Sequence, residues 1–230
     1  MDDSVSAKVA KTVLFVSSGV ALGGCAYAVY RYWKKRESKC IDEGFEDVSR
    51  LEEENSEKRV LVLGLEGAGK STILAQLTSD DHMPANDIKP TEGFKVTSLS
   101  NGAMSLNIWE IGGRESVRRY WGNFLQDTDL LVFVVDAADA HNLSRDVKEV
   151  KTLLGDERLA GVPMLVVANK QDKTNALSPQ EVADALDLNS IAPSRHRVCT
   201  LGAQTVPGAA KSDPSISEFE RVLFDMCSEK

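Results

Sequence analysis

Two hundred and thirty residues exceed what one small domain needs and fall short of two large ones, so the expectation is a single core with an appendage. With 42% apolar and 27% charged residues, a disordered, collagen-like or multi-span membrane chain is excluded, and the net charge of -8 argues against a nucleic-acid binder held by phosphate contacts. Cys25, Cys40, Cys199 and Cys227 are scattered with no C-x-x-C pair, which excludes a zinc ribbon, disfavours a disulfide scaffold and suits reduced thiols of a cytosol-facing protein.

Charge divides the chain into three regions. Residues 1–36 hold six Lys or Arg against two Asp, and residues 37–58 hold nine Asp or Glu against Lys39, Arg50 and Lys58. The expectation is an N-terminal membrane anchor over 1–36, an acidic linker over 37–58 and a globular domain over 59–230. Val13 to Tyr30 is free of charge, and a span of about 12–33 is long enough to cross ~30 Å of hydrocarbon as a helix. Tyr27, Tyr30, Tyr32 and Trp33 suit a headgroup belt, and the cluster Arg31, Lys34, Lys35 and Arg36 outweighs Lys8 and Lys11, leaving everything downstream in the cytosol. Two alternatives compete: a cleaved signal, for which Leu22-Gly23-Gly24-Cys25 resembles a lipoprotein cleavage box, and a buried core helix. An all-round apolar helix followed by bases suits lipid better than either. Met1-Asp2 lacks the Gly that myristoylation requires. Cys40 lies close enough to the basic cluster for acylation, although an ordinary thiol is the simpler reading. The Glu-rich linker reads as a solvated spacer.

A branched apolar run, Arg59 to Leu63, predicts a buried strand near 59–64. Gly64-Leu65-Glu66-Gly67-Ala68-Gly69-Lys70-Ser71 follows, and then a helical pattern from Thr72 to Leu77. This is G-x-x-x-x-G-K-[ST] in its strand-loop-helix setting. Gly64, Gly67 and Gly69 let the backbone bend around an anion, so that the N–H groups of the loop and of Thr72 at the helix start face phosphate oxygens. Lys70 reaches the β- and γ-phosphates and the Ser71 hydroxyl suits Mg²⁺. Asn101-Gly102 centres a hairpin at 94–109. Leu130 to Val135 and Pro163 to Ala168 read as buried strands, the second ending in Asn169-Lys170-Gln171-Asp172, where open parallel sheets bind ligands. A carboxylate at Asp172 accepts both donors of a guanine edge and would face a lone pair on adenine, which argues against an ATP-dependent kinase. Asn169 would tie the base edge to the phosphate loop, and the Lys170 stem would cover the nucleotide face. Ser178-Pro179-Gln180-Glu181 is a capping box with Pro at the first helical position. A last strand is expected at 197–203, followed by a loop from Thr205 to Ile216 and a final helix.

Pro90-Thr91-Glu92-Gly93-Phe94, Trp109-Glu110-Ile111-Gly112-Gly113 and the base motif resemble the Arf-like (ADP-ribosylation-factor-like) small GTPases over about residues 58–229. The glutamate of Trp-Glu-Ile-Gly-Gly and the hydrophobic N-terminus resemble the ADP-ribosylation-factor-like 9 and 10 branch. The resemblance implies a doubly wound, mostly parallel six-stranded α/β sheet that binds GTP or GDP with Mg²⁺. Thr91 would bind Mg²⁺ and sense the γ-phosphate, the Gly113 N–H would donate to the same phosphate, and the hairpin would slide by two residues between nucleotide states. Gly202, Ala203 and Gln204 would present N–H groups to the guanine carbonyl. Phe94, Trp109 and Phe124 match the trio that relatives offer to effectors. Effector proteins, an exchange factor, a GTPase-activating protein and a lipid bilayer are the implied partners, at the mitochondrial outer membrane or the endoplasmic reticulum.

Two positions depart from that pattern. Arg114 replaces the Gln that orients the attacking water, and an arginine has no acceptor for a water proton. Glu110 replaces the Asp that holds Mg²⁺ through a water, and its extra methylene must be absorbed by rotation or by displacing that water. The leading expectation is a membrane-anchored switch with slow or helper-dependent hydrolysis, and the alternative is a non-cycling, nucleotide-bound scaffold.

Overall fold

The computed structural model describes residues 57–78, 90–101, 104–205 and 213–228. The anticipated anchor and most of the acidic linker lie outside these residues. Among the described residues no helix is long and apolar enough to cross a membrane.

Six strands form one sheet: β1 (Lys58–Leu63), β2 (Phe94–Ser100), β3 (Ser105–Ile111), β4 (Leu130–Asp136), β5 (Met164–Asn169) and β6 (Val198–Gly202), in the spatial order β2-β3-β1-β4-β5-β6. All neighbours are parallel except β2 and β3, which pair antiparallel from Phe94–Ile111 to Ser100–Ser105. The six-stranded α/β expectation holds, with strand bounds displaced by a residue or two. Central strands are apolar on both faces because helices cover both. Thus β4 is buried from Leu130 to Val135 and β5 from Met164 to Asn169. Edge strand β2 places Lys95, Val96, Ser98 and Ser100 in solvent, a composition that discourages pairing with a further strand.

Among the described residues five α-helices accompany the sheet: α1 (Lys70–Thr78), the single turn α2 (Glu115–Arg118), α3 (Leu143–Leu154), α4 (Pro179–Ala185) and α5 (Pro214–Ser228). Ile73, Leu74 and Leu77 of α1 join Ile216, Phe219, Leu223 and Met226 of α5 over Val60, Val62, Val132, Val134, Leu165 and Val167. Helical spacing on one layer meets alternate strand residues on the other. The capping box is present: the Ser178 hydroxyl accepts from the Glu181 N–H, and the Glu181 carboxylate accepts from the Ser178 N–H at 2.8 Å. The last helix begins two residues before Ile216, at Pro214, because Asp213 caps it by accepting from the Ser215 N–H at 2.9 Å.

Crossing from β3 to β4 carries the chain over β1 to the far side of the sheet. The loops after β1, β3, β4 and β5 therefore gather at the carboxyl edge, where strand order reverses.

Candidate functional site

The loop after β1 wraps a cleft of about 390 Å³ whose lining includes Glu66, Lys70, Ser71, Thr91, Glu110 and Gly113. Gly64, Gly67 and Gly69 all adopt positive φ. At Gly69, with φ +94, a side chain would be strained and a Cβ would collide with the Asn169 amide. That amide donates from Nδ2 to the Ala68 carbonyl at 2.8 Å, so Asn169 does tie the base side to the phosphate loop. Lys70 is buried, and its Nζ donates to the Gly64 and Leu65 carbonyls at 2.7 and 3.0 Å. Burial lowers its pKa to about 8, against the raising influence of Glu110, Asp146 and Glu66.

Thr91 and Glu110 converge on Ser71 at the mouth of α1. Ser71 Oγ donates to Glu110 Oε1 at 2.5 Å, Thr91 Oγ1 donates to the same oxygen at 2.9 Å, and the two hydroxyls are 3.2 Å apart. Three elements separated by up to 39 residues thus meet as three oxygens. Glu110 is only 1% exposed, and its Oε2 is buried without a hydrogen-bond partner among the described residues. A buried, half-satisfied carboxylate beside two hydroxyls fits a hard divalent cation, and all-oxygen donors suit Mg²⁺. Ser71, Thr91 and Glu110 would hold it, and the ion would offset phosphate charge.

Gly113 lies directly on the phosphate loop, where a Cβ would collide with Glu66 N, Gly64 O and Leu65 C. Its placement is fixed from outside: Arg118 donates to the Gly113 carbonyl at 3.0 Å, and the Trp121 indole donates to the Gly112 carbonyl at 3.1 Å. The Gly112 N–H reaches Gly93 O at 2.8 Å, joining the two segments that flank the hairpin. Arg114 turns back to the loop, with Nε 2.7 Å from Glu66 Oε1 and a terminal nitrogen 3.9 Å from Glu92 Oε1.

At the base end Lys170 adopts φ +65 and its Nζ donates to Asp136 Oδ2 at 2.5 Å. Asp136, at the end of β4, escaped the sequence reading, although it ends an apolar run just as Asn169 does. Thr205 was also missed: its hydroxyl donates to Asn169 Oδ1 at 3.2 Å and is buried. Asp172 stands in the exposed loop after β5 beside Lys173. The Ala203 N–H donates to Ala168 O at 3.0 Å and the Gln204 N–H to Ser215 Oγ at 3.1 Å, and Gly202 stands against Gln171 and Pro179. The effector trio does converge, with ring centroids 5.7 to 6.3 Å apart. Phe124, however, is fully buried and Trp109 nearly so, with the Arg59 guanidinium 4.7 Å above the indole. Burial of apolar area outweighs display here, and only Phe94 of the three is half-exposed.

The model of the ADP-ribosylation factor family matches residues 45–214. The chain belongs to the Arf family. Among Arf-like relatives, ADP-ribosylation factor-like protein 3 of Chlamydomonas reinhardtii is 48% identical over 141 residues, 61% of this chain and 78% of the relative. ADP-ribosylation factor-like protein 2 of Drosophila melanogaster is 40% identical over 182 residues, 78% and 96% of the two chains. The Arl6 (BBS3) small GTPase of Trypanosoma brucei, solved with the nucleotide analogue GppNp, superimposes with a TM-score of 0.64 at 26% identity, covering 75% of this chain and 98% of its own. The chain is thus an Arf-family small GTPase, a nucleotide-binding switch.

Proposed function

We propose that this chain is a membrane-anchored Arf-like switch whose GTP-loaded form recruits effectors, and whose return to the GDP form is slow or depends on a helper protein. The observation that carries the reading is the meeting of Ser71, Thr91 and Glu110. It draws the segment before β2 onto the phosphate loop, as a γ-phosphate-sensing switch requires. Slow hydrolysis is supported by Arg114, whose guanidinium pairs with Glu66 and offers no acceptor to a water. Anchoring is supported by the uncharged run from Val13 to Tyr30 and its basic flank, and suits the mitochondrial outer membrane or the endoplasmic reticulum. Trp109-Glu110-Ile111-Gly112-Gly113 supports a place near the ADP-ribosylation-factor-like 9 and 10 branch. Phe94 and the 39%-exposed Val96 on β2 are the apolar groups best placed to meet an effector.

Single-turnover hydrolysis of GTP by the full chain tests the reading. Slow conversion that Arg114→Gln accelerates at least tenfold is expected. An ordinary small-GTPase rate, unchanged in that variant, would overturn the hydrolysis claim.

A further inference from the structure

Among the described residues the wall of the phosphate cleft carries two cations, Lys70 and Arg114, and two carboxylates, Glu66 and Glu110. Lys70 is buried, and its ammonium is bonded to the Gly64 and Leu65 carbonyls. A terminal phosphate brings further negative charge into this space, and Arg114 is the cation whose head group stands at the rim.

The Arg114 backbone is fixed, whereas its head group is open to exchange. As the N-cap of α2, its carbonyl accepts from the Val117 and Arg118 N–H groups at 2.9 Å each. The preceding Gly113 abuts Glu66 N and Gly64 O, so the side chain starts one residue from the point where this turn meets the phosphate loop. The guanidinium then turns onto two carboxylates, with Nε 2.7 Å from Glu66 Oε1 and a terminal nitrogen 3.9 Å from Glu92 Oε1. The three side chains are 42%, 49% and 86% exposed in the order Arg114, Glu66, Glu92. Ion pairs this open to water are weakly held, and the planar fork of an arginine matches phosphate as well as carboxylate. Glu66 belongs to the loop that would wrap the phosphates, so it and a terminal phosphate compete for one guanidinium.

We propose that Arg114 is a specificity-determining residue that reads the terminal phosphate: with GDP its guanidinium stays on Glu66, and with GTP it moves to the γ-phosphate. This deepens the nucleotide-switch reading and rests on it. The hold of Glu66 on Arg114 subtracts from GTP affinity and leaves GDP affinity alone, so the pair sets the ratio of the two states. Slow hydrolysis is compatible with this contact, because an arginine that binds the ground-state phosphate and the transition state alike adds affinity without speeding the chemical step.

Competition of GDP and of a non-hydrolysable GTP analogue against a fluorescent GDP, on the full chain in Mg²⁺, tests the proposal. Arg114→Ala is expected to weaken the analogue about tenfold, the scale of a lost charge-assisted bond, with GDP unchanged within about twofold. Glu66→Gln is expected to tighten the analogue several-fold, and that gain should vanish in the Arg114→Ala background. A gain of equal size in both backgrounds would reduce Glu66 to plain repulsion of phosphate and overturn the proposal, as would equal losses of GDP and analogue in Arg114→Ala. A measurement on the wild-type chain needs no variant. With ¹⁵N-arginine incorporated, ¹⁵N–³¹P dipolar recoupling should place a guanidinium nitrogen about 4 Å from the terminal phosphorus of the analogue, one charge-assisted hydrogen bond plus a P–O bond away. Absence of that signal while the analogue remains bound would refute the contact and leave the nucleotide reading intact, whereas a chain that binds neither nucleotide would overturn both.

Discussion

The two ends of the cleft are built on different terms. At the base end, Asn169, Thr205, Lys170 and Asp136 brace one another through hydrogen bonds of 2.5 to 3.2 Å, and Asn169 is bonded on to the phosphate loop. At the phosphate end, Glu110 carries a buried oxygen with no hydrogen-bond partner among the described residues, and the Arg114 guanidinium is spent on Glu66. A base end satisfied within itself suits constant recognition, whereas unspent charge at the phosphate end suits a site that ligands complete. Selectivity and switching are thereby assigned to different residues, and substitutions should separate them.

The largest effect is expected at the base end. Asp172→Asn replaces an acceptor with a donor against the guanine edge, and competition binding should show the preference for GTP over ATP falling by about 10⁴. Preserved selectivity would break the division.

Asp146 comes next. It stands on the buried stripe of α3 with Val150 and Leu153, and its Oδ1 has no hydrogen-bond partner among the described residues. Burial, reinforced by Asp139 and Asp136 and opposed by Lys70 and Arg118, raises its pKa from 3.8 to about 7. The folded chain then binds more protons than the unfolded chain between about pH 4 and 7, so stability falls as pH rises through that window and levels above it. A shift of this size corresponds to on the order of 4 kcal/mol. Urea unfolding should find Asp146→Asn more stable than wild type at pH 8 and indistinguishable at pH 4; equal stability at both would remove this charge from the account.

Lys70→Ala should weaken both GTP and GDP by about a hundredfold, the scale of lost charge-assisted bonds, read by calorimetry. Gly113→Ala should sharpen the comparison further. Its Cβ collides with the loop backbone, so affinity for a GTP analogue should drop about tenfold while GDP binding holds. Equal losses for both nucleotides would show that Gly113 is not specific to the GTP-loaded form. The smallest effect belongs to Arg114→Ala, whose exposed pair with Glu66 should change unfolding stability by less than about 1 kcal/mol.

The sheet was legible because its central strands are unbroken apolar runs, and the phosphate loop because its glycines, Lys70 and Ser71 are adjacent in sequence. What escaped depends on distant partners. Nothing near Asp136 in the sequence shows that it will hold the Lys170 ammonium, 34 residues away. The burial of Phe124 follows from the sheet beneath its turn, and the commitment of the Ala203 N–H from the ladder to β5. Asp146 did leave a signal, a carboxylate four and seven residues before Val150 and Leu153 on one helical face.

Titration calorimetry of the full chain in Mg²⁺ with GDP, GTP and ATP addresses the guanine-nucleotide pocket itself. Saturable heat from GDP and GTP, with none from ATP at the same concentrations, is the predicted result. No heat from either guanine nucleotide, or ATP binding as tightly as GTP, would contradict it.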